Sequence, residues 1–126
     1  MADAVVDASA VAAITFGEDE GPTVAEGLTG VTLHAPSLLW YELANVCLTK
    51  LRRYPGEADR LRAALEHAQR LAIRIHHVDP TETIGVAEQT GLSAYDASYL
   101  CLARRLHADL VTLDKRLHAA ARDLTA

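Results

Sequence analysis

Short apolar runs alternate along this chain with longer stretches of helical period. Ala4, Val5 and Val6 form a run rich in branched side chains that predicts a first strand; Asp7 closes it, and Ala10, Val11, Ile14 and Thr15 recur at helical spacing until Gly17. After Glu18–Glu20 and the Gly21-Pro22 turn, Thr23–Leu28 predicts a second short helix and Val31–Leu33 a second strand. Pro36 suits a helix start, and Leu38, Leu39, Glu42, Leu43, Val46 and Leu51 then keep a helical period up to Tyr54-Pro55-Gly56. Glu57–Leu71 repeats the period with Leu61, Leu65, Ala68 and Leu71 inward, and Ile73–Val78 alternates like a third strand. Asp79-Pro80-Thr81-Glu82 combines a capping acid, a proline at the first helical position and a glutamate three residues after the cap, so a helix starts there and ends at Gly91. Ser93–His107 predicts a further helix, Asp109–Leu113 a fourth strand and Lys115–Arg122 a terminal helix.

Strands separated by helices point to an α/β fold, a parallel sheet with helices on both faces, because parallel neighbours need crossover connections. Four strands are expected; a fifth could come only from Leu124–Ala126, which is short for an edge. The 126 residues fit a single domain, 1–126, and a 50% hydrophobic composition excludes disorder and low complexity. Aromatic residues make up only 5%, so the core is expected from Ala, Leu, Val and Ile, and composition argues against a base-stacking platform.

The net charge of −5 is unevenly placed. Residues 1–49 hold no Lys or Arg, whereas residues 50–74 hold seven bases against three acids. A net-acidic chain is a poor nonspecific coat for nucleic acid, although the basic stretch could follow a phosphate backbone; Lys50, Arg52 and Arg53 are its candidate RNA contacts. The N-terminus lacks the basic residues of a secretory signal, and no apolar run reaches membrane-spanning length, so a soluble, cytoplasmic protein without membrane contact is expected. Cys47 and Cys101 have no partner spacing and read as buried free thiols; the six histidines show no ligand spacing and read as surface or packing residues. Neither a GxGxxG nor a Walker A loop is present.

Four acids stand out. Asp7 and Asp114 fall at carboxyl ends of predicted strands, where open parallel sheets bind ligands. Asp96 lies in the first turn of the helix entered at Ser93, and Glu42 sits in an apolar helix with no Lys or Arg within four residues. Each has a bland alternative: Asp7 and Asp114 as helix caps, Asp96 in a capping box with Ser93. Glu42 has no such role, and a carboxylate there is costly without a cation. Oxygen ligands without His or Cys suit Mg²⁺ or Mn²⁺, which can activate water and neutralise a phosphodiester.

In order along the chain, Val5-Val6-Asp7-Ala8-Ser9, Glu42-Leu43-Ala44-Asn45, Leu92-Ser93-Ala94-Tyr95-Asp96-Ala97-Ser98-Tyr99 and Val111-Thr112-Leu113-Asp114 resemble the successive motifs of PIN-domain ribonucleases, and more narrowly of VapC toxins from type II toxin-antitoxin pairs. Any one motif is weak; the ordered set, spanning nearly the whole chain, is specific. The resemblance implies a three-layer α/β/α fold and a Mg²⁺- or Mn²⁺-dependent endoribonuclease. Its catalytic and metal pocket maps onto Asp7, Glu42, Asp96 and Asp114, with Asp7 and Asp96 as direct ligands. Ser9, Thr112 and Asn45 match supporting positions. A homodimer and a cognate antitoxin that blocks the acidic pocket are implied as well.

Two other readings compete. An Asp-based phosphotransfer domain also places an acid after its first strand, but Asp7-Ala8-Ser9 lacks the second aspartate two residues on that a haloacid-dehalogenase-like site needs. A catalytically silent PIN domain that only binds an antitoxin is disfavoured by the presence of all four acids.

Overall fold

The computed structural model describes residues 2–125. Its elements are β1 (Asp3–Val6), α1 (Ala8–Thr15), α2 (Gly21–Gly27), β2 (Thr32–Pro36), α3 (Leu39–Arg53), a 3₁₀ turn (Pro55–Glu57), α4 (Ala58–Ala68), β3 (Ile73–His76), α5 (Pro80–Thr90), α6 (Ala94–Leu106), β4 (Asp109–Val111) and α7 (Lys115–Thr125). The four strands form one parallel sheet in the order β3-β2-β1-β4.

Side chains alternate across a strand, so neighbours on β1 serve opposite layers. Val6 packs with Val11, Phe16, Leu39, Leu43 and Leu61 of α1, α3 and α4, whereas Val5 packs with Val86, Leu100, Leu102 and Leu117 of α5, α6 and α7. The result is the three-layer α/β/α architecture. Fully burying a side chain such as Leu39 or Leu43 contributes about 1.5–3 kcal/mol. Close packing also fixes one glycine: a Cβ at Gly21 would run into the Ala13 carbonyl oxygen, so the start of α2 lies directly on the α1 backbone.

The switch in strand order lies at β1, which has β2 on one side and β4 on the other. Asp7 follows β1 directly, and Asp114 follows β4 by three residues, so both acids sit at the carboxyl-end crevice where such sheets bind ligands.

Several boundaries differ from expectation. Pro36 closes β2, paired in register with His76, instead of opening a helix; a residue without an N–H can end a ladder, and α3 starts three residues later. The α4 helix stops at Ala68, and a turn at Gln69–Arg70 leaves Leu71 exposed rather than inward. Strand β3 stops at His76 and β4 at Val111. Leu124 and Thr125 belong to α7, so they add no fifth strand; Ala126 lies outside the described residues. Both cysteines are buried and free, as expected. Among the described residues, no helix is long and apolar enough to cross a membrane.

The histidines are more organised than their spacing suggested. His34, on the central strand β2, is 6% exposed; its Nε2 lies 2.8 Å from Asp3 Oδ1 and its Nδ1 2.8 Å from His76 Nε2. This chain of polar groups spans β1, β2 and β3 on the face covered by α5, α6 and α7, since His34 is in register with Val5.

Candidate functional site

Asp7 caps α1, with its Oδ1 accepting from the Ala10 backbone N–H at 3.0 Å. Capping is only part of its role. The Ser9 hydroxyl donates to the same oxygen at 2.7 Å, and the Thr112 hydroxyl donates to Oδ2 at 2.5 Å. Each hydroxyl has one hydrogen, already given to Asp7, so the 3.3 Å approach of the two oxygens is contact without a hydrogen bond. Both oxygens accept as well: Ser9 Oγ from Leu113 N at 2.9 Å, Thr112 Oγ1 from Asp114 N at 3.0 Å. Ser9 and Thr112 thereby tie the start of α1 to the loop after β4 and fix the distance from Asp7 to Asp114.

Asp114 caps α7 through Oδ1, which accepts from Leu117 N at 3.0 Å. Asp96 enters by another route. Gly91, in the left-handed region at φ 76°, ends α5 and turns the chain; Ser93 then caps α6 by accepting from Asp96 N at 3.1 Å. That is half of a capping box. The Asp96 carboxylate does not return the bond and takes no hydrogen bond from any described residue. Glu42, in the first turn of α3, accepts from the Tyr99 hydroxyl at 2.5 Å across the gap to α6.

The electrostatics bind these four into one group. Burial pushes the Asp7 carboxyl above its ordinary range against the pull of its three hydrogen bonds, and Asp114 adds to the rise. Glu42 is raised by burial, lowered by Tyr99 and raised again by Asp96 and Asp7. Asp96 is raised by burial, then by Asp114 and Asp7, with Arg116 pulling the other way. The Tyr99 hydroxyl is held protonated by burial and by Glu42. Asp7, Glu42 and Asp96 therefore each feel others of the set as like charges, and no described Lys or Arg forms an ion pair with any of the four acids. Among the described residues, no three His, Cys, Asp or Glu side chains stand close enough to form a ready-made metal cage. The donor set is nonetheless hard oxygen throughout, so its chemistry fits Mg²⁺ or Mn²⁺ and not a soft ion.

The remaining candidates fall outside this group. Asn45 is exposed, and its side chain makes no hydrogen bond among the described residues. Lys50 pairs with Glu18 at 3.3 Å and lies over the Phe16 ring; Arg53 lies over Tyr54. Arg52 is exposed at the same end of α3. Two residues are given no role by the sequence. Tyr99 lies three positions after Asp96, the spacing that puts both on one helix face. Arg116 lies two positions after Asp114 and outside the basic stretch 50–74, so charge clustering along the chain does not single it out.

A PIN domain family model matches residues 4–123. Ribonuclease VapC3 of Pyrobaculum aerophilum is 30% identical over 118 residues, covering 90% of each chain. Ribonuclease VapC9 of Mycobacterium tuberculosis is 37% identical over 123 residues, covering 90% of this chain and 87% of the relative. The crystal structure of PAE2754 from Pyrobaculum aerophilum superposes with a TM-score of 0.76 at 27% identity, over 94% of this chain and 84% of the other. That of Mycobacterium tuberculosis VapC20, a Sarcin-Ricin loop cleaving toxin, superposes with a TM-score of 0.67 at 19% identity, over 93% and 94%. The fold, the ordered motifs and these matches agree: the chain belongs to the PIN-domain family, in its VapC branch.

Proposed function

We propose that this chain is a metal-dependent endoribonuclease, the toxin of a type II toxin-antitoxin pair, and that Asp7, Glu42, Asp96 and Asp114 form its catalytic pocket. The observation that carries the reading is electrostatic: at the switch point of the sheet Asp7, Glu42 and Asp96 are raised by burial first and then by neighbouring carboxylates, and among the described residues no ion pair relieves them. Names of relatives as ribonucleases support the same class.

Asp7 and Asp96 would hold Mg²⁺ or Mn²⁺ directly, and Glu42 and Asp114 would complete the pocket. When bound, the ion supplies a water of lowered pKa and neutralises charge on the phosphodiester. The chain's own groups do the positioning. Ser9 and Thr112 fix both oxygens of Asp7, Tyr99 holds one oxygen of Glu42 and leaves the other to orient water, and the α7 cap holds one oxygen of Asp114. A cognate antitoxin would inhibit by covering this acidic pocket. A second copy of the chain would complete a homodimer, as the family resemblance implies.

The test is cleavage of total cellular RNA by the purified chain. Discrete cuts in Mn²⁺ or Mg²⁺, abolished by EDTA, are expected. Intact RNA in both ions from a folded, antitoxin-free preparation would leave the catalytically silent reading in its place. Light scattering checks the dimer, which a monomer at working concentration would rule out.

A further inference from the structure

RNA brings negative phosphates to a pocket that already holds four carboxylates, so the surface beside that pocket has to supply positive charge. The basic run at the end of α3 is badly placed for this. Lys50 lies eight residues beyond Glu42, about 12 Å along the helix, and its ammonium is already engaged with Glu18 and the Phe16 ring.

Arg116 is placed differently. It is the second residue of α7, two beyond Asp114. Its Nη2 donates to the Gly91 carbonyl at 3.0 Å, which holds the guanidinium against the turn that delivers Ser93 and Asp96. The side chain therefore bridges from α7, just after Asp114, to the turn that leads into α6 and its first-turn Asp96. It is exposed, and its charge reaches Asp96 without closing an ion pair. A guanidinium has five N–H donors in a planar fork, and among the described residues Arg116 makes one bond, to the Gly91 carbonyl. A cation steadied at one corner, with the rest of its fork open to solvent beside an acidic pocket, matches the geometry in which arginine grips phosphate.

We propose that Arg116 is the residue that grips an RNA phosphate at the rim of the acidic pocket, setting where the strand lies relative to Asp96 and Asp114. This rests on the nuclease reading above. Lys115 is exposed beside it and makes no hydrogen bond to the described protein, so it adds charge without a fixed direction.

The experiment compares wild type, Arg116→Ala and Arg116→Lys for binding to an unstructured, fluorescent RNA of about 20 nucleotides in Ca²⁺, across a salt series, alongside cleavage kinetics in Mn²⁺ and thermal melting. For Arg116→Ala, a roughly tenfold weaker Kd is expected, with a salt slope shallower by about 0.7, a matching rise in KM and a smaller change in kcat. Arg116→Lys should recover the salt slope but only part of the affinity, because the charge returns without the fork. An unchanged Kd and slope in a folded Arg116→Ala protein overturns the inference. So does a lowered melting temperature with normal binding by the folded fraction, which would make Arg116 a strut for the Gly91 turn. Wild type that neither binds nor cuts RNA overturns the nuclease reading itself and this inference with it, whereas wild type that binds while Arg116→Ala binds equally well removes only this one.

Discussion

Two groups of polar side chains lie within this small fold, and their hydrogen-bond arithmetic differs. In the chain Asp3–His34–His76 every contact can be matched. Asp3 Oδ1 faces His34 Nε2 at 2.8 Å, and the two imidazoles share a second 2.8 Å contact in which one ring nitrogen donates and the other accepts. The one deeply buried member is satisfied at both nitrogens, and nothing further is required of it. In the group around Asp7 the bonds are good but the charges are not matched: three of the four acids are pushed upward, partly by each other. A satisfied network serves the structure, whereas a network that raises its own proton affinity invites a cation from outside.

The largest expected effect separates the two groups by function. Asp7→Asn keeps an oxygen for the α1 cap but removes the charge, and metal-dependent RNA cleavage should fall by roughly 100-fold or more. The metal-free variant should be as stable as wild type or more so, since a like charge has gone. His34→Leu should do the reverse. Breaking the matched chain costs about 1–3 kcal/mol in a urea melt and leaves the cleavage rate per folded molecule unchanged. If Asp7→Asn cuts RNA at the wild-type rate, or His34→Leu abolishes cutting while folded, the distinction between the groups is lost.

A second expectation concerns the ion. Mg²⁺ or Mn²⁺ at about a hundred times its Kd should stabilise wild type by about 2.7 kcal/mol, a shift of several degrees in melting temperature. Asp96→Asn should lose most of that shift, because Asp96 is the acid whose carboxylate, among the described residues, has no hydrogen bond to occupy it. A shift that persists in full would place the ion elsewhere.

Much of this was legible in the residues. Element order, both sheet faces and the acids at strand ends follow from period and capping chemistry, which are local. What escaped was set by contacts far apart in sequence. Tyr99 meets Glu42 across 57 positions and His34 meets His76 across 42, and no window of neighbouring residues encodes either pairing. Pro36 misled because proline is equally compatible with a helix start and a strand end, and only the ladder to β3 decides between them. Spacing along the chain is a test for metal-ligating histidines and is blind to strand register, which aligns His34 and His76 from different strands. The roles of Ser9 and Thr112 came from resemblance, and the structure supplies the hydrogen bonds to Asp7 that those positions make.

The smallest effect is the sharpest discriminator, because the two groups push stability in opposite directions with pH. Asp7, Glu42 and Asp96 are raised in the folded state, so folding takes up protons; their contribution is fully present below the ordinary carboxylate range and is lost as pH rises through the raised folded values. His76 is lowered, first by burial and then by His34, Arg105 and Arg74, so the folded state refuses a proton that the unfolded chain accepts; its contribution is present above the ordinary histidine range and is lost as pH falls through it. Solvent damps the effect at Asp96 and His76, which are only partly covered. Metal-free urea midpoints measured between pH of about 4 and 8 should therefore show two limbs of opposite slope. Asp7→Asn should flatten the limb that falls with rising pH, and His76→Gln should flatten the one that falls on acidification. Saturating Mn²⁺ should flatten or reverse only the first, since a bound cation favours the ionised carboxylates that burial and, after it, mutual repulsion disfavour. If Mn²⁺ instead altered the histidine limb and left the carboxylate limb untouched, the assignment of the two groups would have to be exchanged.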